Sequence, residues 1–213
     1  MGKIRIPNYS LGEELINSIS HGLGALLSIA GLVILLVNSH SAMAAVTSSI
    51  YGSTMIILYV ISCIYHGLSK RTKAKGVLRV IDHCNVYLLV AGTFTPITLS
   101  LIGGVIGWVW FAVVWIITII GVVLTSIDVD KYSFASVILH LALGWSCLIC
   151  YKPLFGAMDG TEILFLVLGG VFYSIGAALY GIGKKKKYIH SVFHFFVLAG
   201  SIFHFFMILH FTA

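Results

Sequence analysis

The stretch VIGWVWFAVVWIITIIGVVLTSI (residues 105–127) decides the fold class, because it contains no charged residue over its whole length. A helix of about 20 predominantly apolar residues crosses the roughly 30 Å hydrocarbon core of a bilayer. Similar stretches recur along the chain, and the predicted spans are residues 15–37, 42–66, 80–102, 105–127, 134–151, 162–182 and 189–211. The sequence therefore predicts an all-α integral membrane protein, a bundle of seven transmembrane helices.

The composition leads to the same class. Of the 213 residues, 59% are hydrophobic and 9% are charged, whereas a soluble domain carries about 25% charged residues. A water-soluble globule of this size could not bury so much apolar surface. Seven spans use about 140 residues, so residues 1–213 are predicted to form a single membrane domain. The first span follows Glu13 and Glu14 and is too long for the apolar core of a cleavable signal peptide, so we expect it to remain.

The basic residues predict the orientation. With seven spans, 12 of the 13 Lys and Arg fall on one side of the membrane and Lys152 falls on the other. The positive-inside rule then places the N-terminus in the cytoplasm and the C-terminus outside. Because these residues flank apolar segments, the net charge of +6 indicates topology signals and contacts with anionic lipid rather than with nucleic acid. The twelve are Lys3, Arg5, Lys70, Arg71, Lys73, Lys75, Arg79, Lys131 and Lys184 to Lys187.

Histidines at membrane depth are the first candidates for chemistry, since ionisable groups are costly there and tend to be functional. His190 and His194 are spaced i, i+4, so both imidazoles lie on one helix face and can bind one metal ion. His66 lies about one turn from Lys70, as His190 does from Lys187, so the three histidines share a depth. Three protein ligands with one open position are typical of catalytic zinc. The alternative for His66 is an interfacial histidine that caps a helix end.

Asp82 and Ser62 are candidates at the same depth. Asp82 begins the third predicted span three residues after Arg79, where it needs a cation or a hydrogen-bond network to remain charged. The alternative is an interfacial Asp bonded to the N-terminal amides of its own helix. Ser62 lies one turn before His66 and could donate a hydrogen bond at the metal. The alternative is a serine bonded to the backbone of its own helix.

The remaining polar residues give weaker signals. Glu14, Asn17 and His21 form one polar stripe on the first span, which could close over the site or make an interhelical contact. His83 lies about 100° around the helix from Asp82, so both cannot point at one metal equally well. We expect the other histidines to be structural or interfacial and the cysteines to be mostly buried hydrophobes rather than a disulfide framework. These are His40, His140, His204, His210, Cys63, Cys84, Cys147 and Cys150.

Four motifs together resemble the bacterial hemolysin III proteins, which are relatives of the progestin and adipoQ receptor family that includes the adiponectin receptors. The motifs are E-E-L-I-N-S-I-S-H-G (13–22), S-C-I-Y-H (62–66), I-D-H-C-N-V-Y-L-L-V-A-G-T-F-T-P (81–96) and H-S-V-F-H (190–194). The resemblance covers nearly the whole chain. It implies a zinc ion near the cytoplasmic side held by His66, His190 and His194, with Asp82 and Ser62 nearby. Alkaline ceramidases are similar in this pattern, so the resemblance also implies hydrolase chemistry.

Two functions stay open at this point. The first is a zinc-dependent hydrolase in the bacterial plasma membrane that cleaves an amide or ester bond of a lipid entering from the inner leaflet. Asp82 would be its general base and Ser62 would support the oxyanion. The second is a sensor or cytolysis-associated membrane protein in which a structural zinc ties the second, third and seventh spans together. A fourth protein ligand such as His21 would favour the structural role. The sequence does not indicate an oligomeric state.

Overall fold

The fold is helical throughout the part of the chain that the computed structural model describes, residues 5–183 and 186–213. No strand occurs in those two ranges, so the predicted all-α class is confirmed. Lys3, Lys184 and Lys185 of the predicted cytoplasmic charge set lie outside the described residues. The helices are α1 Leu11–Asn38, α2 Ala42–Gly67, α3 Lys73–Pro96, α4 Gly104–Ile127, α5 Ser133–Gly144, α6 Tyr151–Ala157, α7 Gly160–Gly183 and α8 Ile189–Thr212.

Within the residues that the structure describes, six helical segments are long and apolar enough to cross a bilayer. They are α1, α2, α3 with the π-helical turn Ile97–Ile102 that continues it, α4, α7 and α8. They correspond to six of the seven predicted spans, and multi-pass membrane architecture is thereby confirmed. Helix α1 starts at Leu11, before the predicted Leu15, because Ser10 and Glu13 form a reciprocal capping box at its N-terminus.

The predicted span 134–151 is not one straight helix. Helix α5 ends at Gly144, a 3₁₀ turn covers Trp145–Leu148, and the following α6 is inclined by 64°. Glycine is a poor helix former, and the Trp145 indole donates from Nε1 to Ser174 Oγ of α7 at 3.0 Å, which holds the turn against its neighbour. The described residues therefore contain six candidate spans, or seven if this bent pair crosses the membrane as one.

Helix α8 is held on several sides. It packs along α7 and α1, while α1 packs along α2 and α2 along α3. In the bundle interior, the hydroxyls of Tyr59 and Tyr173 meet Ser201 Oγ of α8 at 2.6 and 2.7 Å. Gly169 of α7 leaves the space that the His204 ring occupies, since a Cβ there would lie 2.1 Å from the imidazole. Close packing of this kind fixes the register of α8 against its neighbours.

Candidate metal centre and cavity

The first turns of α8 place two histidines side by side. Tyr188 precedes the helix in the left-handed conformation, with φ of 62°, and its backbone N–H donates to Glu13 Oε1 at 2.7 Å. This contact ties the start of α8 to the start of α1. The i, i+4 spacing then brings His190 Nε2 and His194 Nε2 to 3.2 Å from each other.

His66, in the last turn of α2, completes a group of three. One ring nitrogen from each of His66, His190 and His194 lies within 4.8 Å of the others. The three side chains are buried, with residue exposures of 2%, 7% and 2%. The structure thus brings together the three histidines that the shared depth singled out. The alternative that His66 only caps a helix end does not account for its place in this group.

The donor set fits a divalent metal ion. Among the described residues, His66 Nε2 and His194 Nδ1 are buried and have no hydrogen-bond partner. An unpaired buried polar group is costly, and a cation that accepts imidazole lone pairs would remove that cost. Imidazole suits zinc, copper, iron and nickel, and three histidines form the protein part of a common catalytic zinc site.

A carboxylate orients His66. Glu14 Oε2 lies 2.7 Å from His66 Nδ1, and Asn17 Nδ2 lies 3.4 Å from the same nitrogen. A carboxylate accepts hydrogen bonds, so Nδ1 carries the proton and Nε2 keeps the lone pair. Metal-binding histidines commonly have such a partner on the second nitrogen. Two residues of the predicted polar stripe on α1 therefore contact the site.

His21, the third member of that stripe, lies beside the group but not in it. Its ring contacts that of His194, tilted by 35° with 3.8 Å between centroids. Within the described residues, the cluster of mutually close ligand atoms contains only the three histidines named above. His83 is not part of that cluster in the described chain; its Nε2 lies 3.2 Å from the Tyr180 hydroxyl and its Nδ1 lies 2.8 Å from the Arg79 carbonyl.

Asp82 and Ser62 line a cavity that His190 and His194 also line. The alternative that Asp82 bonds to the N-terminal amides of its own helix is wrong, because α3 begins at Lys73 and Asp82 lies well past the first turn. Ser62 is buried. Asp82 lies outside the cluster of mutually close ligand atoms formed by the described residues.

The cavity has a volume of about 220 Å³ and extends between α3, α5, α7 and α8. It runs from the histidines to Phe155 and Leu166, near the opposite end of the bundle. Asp82 is the only acidic or basic residue, histidines apart, among the described residues that line it. His140 and His204, which the sequence assigned no functional role, lie on its wall. The interior is therefore a long apolar space with a polar end.

Two basic residues have contacts that the sequence did not predict. Lys75 is fully buried and donates to Glu14 Oε1 at 2.7 Å. Arg79 makes a bidentate pair with Asp130, at 2.6 and 3.1 Å, and this hydrogen-bonded guanidinium lowers the pKa of the Asp130 carboxyl. Lys75, Arg79 and Asp82 are spaced i, i+4 and i+7, which is a helical face. The predicted third span begins at residue 80. A prediction that began it near Lys73 would have shown that these three charged residues share one helical face.

A second group of possible ligands lies at the other end of α8. Asp159, Glu162 and His210 bring ligand atoms within 4.8 Å of one another, and Asp159 and His210 are exposed. Their polar atoms are largely occupied by one another and by backbone amides. All four cysteines are free thiols, and Cys84 and Cys147 are buried.

A helical multi-pass membrane bundle with a buried group of three histidines at one end of an apolar cavity defines the class: a membrane protein with a candidate metal site. The family follows from comparison with known proteins. The model described as Haemolysin-III related matches residues 9–205, so the chain belongs to that family.

Individual relatives agree with this assignment. The chain is 37% identical to the Hemolysin-3 homolog of Bacillus subtilis (strain 168) over 204 residues, covering 94% of this chain and 95% of the relative. It is 35% identical to Hemolysin-3 of Bacillus cereus, covering 92% and 90%. The human Monocyte to macrophage differentiation factor is 23% identical, covering 92% and 83%. The resemblance to hemolysin III proteins and to more distant animal relatives is thereby confirmed.

Proposed function

We propose that this protein is a zinc-dependent hydrolase that cleaves an amide or ester bond of a membrane lipid. One observation carries the proposal: two histidines of the three-residue group, together with Asp82 and Ser62, line the polar end of a long apolar cavity. Ligand cavities are mostly apolar, with a few polar groups that fix orientation. An acyl chain suits the apolar length, and its carbonyl would then lie at the polar end.

The residues have separate roles in this reaction. His66, His190 and His194 would hold zinc, which when bound polarises a carbonyl and lowers the pKa of a water. Asp82 would accept the proton of the attacking water, since a carboxylate that lines the cavity is available as a general base. Ser62 would donate its hydroxyl proton to the developing oxyanion.

The composition of the histidine group supports the hydrolase over a structural zinc. A structural site has four protein ligands, whereas a catalytic one has three and an open position. Among the described residues the group contains three histidines. His21 contacts His194 with its tilted ring, and it belongs to no cluster of three close ligand atoms in the described chain.

We further propose that the bent pair α5 and α6 crosses as one span, that the N-terminus is cytoplasmic, and that the protein resides in the bacterial plasma membrane. The one-sided distribution of Lys and Arg supports this orientation, and the lipid would then enter from the inner leaflet. Single cysteines at Arg71 and at Ala213, which are both exposed, in a variant without native cysteines, test it. We expect the first to react only with reagents that reach the cytoplasm and the second with reagents added outside. Labelling of both from the same side would contradict seven spans.

The hydrolase is tested with purified protein in detergent. Ceramides and acyl glycerolipids are supplied as substrates, fatty-acid release is measured, and zinc is quantified in the same samples. We expect release that a zinc chelator abolishes and that added zinc restores. Release that is equal in wild type and in Asp82→Asn, at equal zinc content, would contradict the proposed chemistry.

A further inference from the structure

Lys75 is the most deeply buried charged residue of the described chain, with no exposed surface. Its ammonium donates to Glu14 Oε1 at 2.7 Å and to the Leu68 carbonyl at 2.8 Å. It also lies 3.5 Å from the His66 carbonyl. A lysine counted as a cytoplasmic topology signal would keep its ammonium in water. Lys75 instead points into the bundle, toward the end of α2 that carries His66.

Glu14 uses its two carboxylate oxygens for different partners. Oε1 accepts from Lys75, and Oε2 accepts from His66 Nδ1, each at 2.7 Å. The carboxylate is thus held from one side while it orients the imidazole on the other. The result is a continuous chain of contacts from α3 through α1 to α2.

A buried ion pair is not explained by stability. Removing two charges from water is costly before their attraction is counted, and apolar replacements of similar volume are often as stable. Lys75 and Glu14 therefore require a reason other than folding, and the contact between Glu14 and His66 supplies one. Carboxylates that hydrogen-bond to a metal-binding histidine fix its tautomer and strengthen its ligand nitrogen.

We infer that Lys75 and Glu14 are positioning residues for His66. Lys75 orients the Glu14 carboxylate and closes the C-terminal turn of α2, and Glu14 then fixes which nitrogen of His66 is presented to the metal. This inference rests on the zinc site of the proposed function. It adds Lys75 to the site and gives Glu14, which the sequence indicated only as a member of a polar stripe, a specific role.

The chain offers a matched control on the same helix. Arg79 lies one turn after Lys75 in α3 and pairs with Asp130 through two hydrogen bonds. Neither residue contacts a histidine of the group in the described structure. Arg79→Met therefore removes a basic side chain and an ion pair from α3 without touching the metal ligands.

The test is zinc affinity, measured by competition with a chelator on purified protein without substrate. The variants are Glu14→Gln, Lys75→Met, the Glu14→Gln/Lys75→Met double variant and Arg79→Met. We expect the first three to lose about 10- to 100-fold in affinity, which is typical for such partners of a metal ligand. The double variant should lose no more zinc affinity than the single variant that binds zinc less tightly, because the two residues act in series. Arg79→Met should bind zinc as wild type does.

The double variant guards against misfolding, since it leaves no unpaired buried charge. Its metal-free form should melt close to metal-free wild type, which separates positioning from a general structural role. Wild-type affinity in the folded double variant would overturn the inference while leaving the zinc site intact. A wild-type protein that binds no zinc would overturn the metal site and this inference together. The zinc-affinity measurement does not involve hydrolysis. A failure to observe hydrolysis therefore counts against the proposed function alone.

Discussion

Helix α8 contributes to a group of possible metal ligands at each end, and the two groups differ in burial and in hydrogen bonding. At the first turns, His190 and His194 meet His66 in the interior, and ring nitrogens there have no partner in the described chain. At the last turn, exposed His210 lies 3.1 Å from Glu162 Oε1 and 3.7 Å from Asp159 Oδ2.

The second group has a local explanation. Asp159 Oδ1 accepts from the Glu162 amide at 2.8 Å, and Glu162 Oε2 accepts from the Asp159 amide at 3.0 Å. These two bonds cap the start of α7, and His210 Nδ1 adds a contact with Glu162 Oε1 at 3.1 Å. Closeness of ligand atoms is therefore common to both ends of α8. Unsatisfied buried nitrogens distinguish the first end, and they are the physical reason to expect metal there.

The largest effect is expected from removing the α8 ligands. His190→Ala/His194→Ala should abolish zinc binding and lower thermal stability, because binding to the folded state alone stabilises it by about 2.7 kcal/mol at 100 times Kd. His210→Ala, the matched change at the other end, should keep about one zinc per chain. Zinc content and melting temperature of both variants are the measurements. Full zinc content in the double variant would place the metal elsewhere.

Asp82→Asn separates chemistry from metal binding at the buried end. The amide keeps the side-chain shape but accepts no proton at neutral pH, so fatty-acid release should fall by about 10²–10⁴ while zinc is retained. Both quantities are measured on one preparation. Unchanged release would exclude Asp82 as the general base. Loss of zinc together with activity would instead make Asp82 part of the metal network and favour the structural role.

Asp159→Ala examines the exposed end. It removes the cap of α7, which typically costs about 1 kcal/mol of stability, and should leave zinc content and fatty-acid release unchanged. Chemical denaturation in detergent, with a zinc assay alongside, measures both expectations. A fall in zinc content would show that the group of Asp159, Glu162 and His210 holds metal and would remove the distinction between the two ends.

The smallest effect is expected from the ion pair between Arg79 and Asp130. This pair lies near the buried group but contacts none of its histidines. Because the guanidinium lowers the pKa of Asp130 in the folded state, the contact stabilises the protein above the ordinary Asp pKa of about 3.9. That contribution is lost as the pH falls through the lowered value. The Asp130 side chain is 38% exposed, so solvent screening limits the effect to about 1 kcal/mol or less. Melting temperatures of wild type and Asp130→Asn should differ at pH 7 and converge in acid.

Sequence reasoning found the helices and the three histidines for different reasons. Each apolar span is a local property of about 20 residues, and the i, i+4 pair of α8 is fixed by helix geometry. His66 required an argument about depth as well as the resemblance to a family. Sequence reasoning missed the bend after Gly144, because the bend depends on a contact between Trp145 and Ser174. These two residues are 29 positions apart in the chain.

The sequence by itself determined the membrane class, six of the spans, and the candidate residues His66, His190, His194, Asp82 and Ser62. Composition and helical periodicity act over short distances, so they can be read from the chain directly. Only the tertiary structure decided that Lys75 is buried against Glu14 and that Glu14 orients His66. Those contacts join residues 61 and 52 positions apart, and they form because three helices converge at one end of the bundle. A lysine beside an apolar span has the same local sequence whether it faces water or a carboxylate, and packing makes that choice.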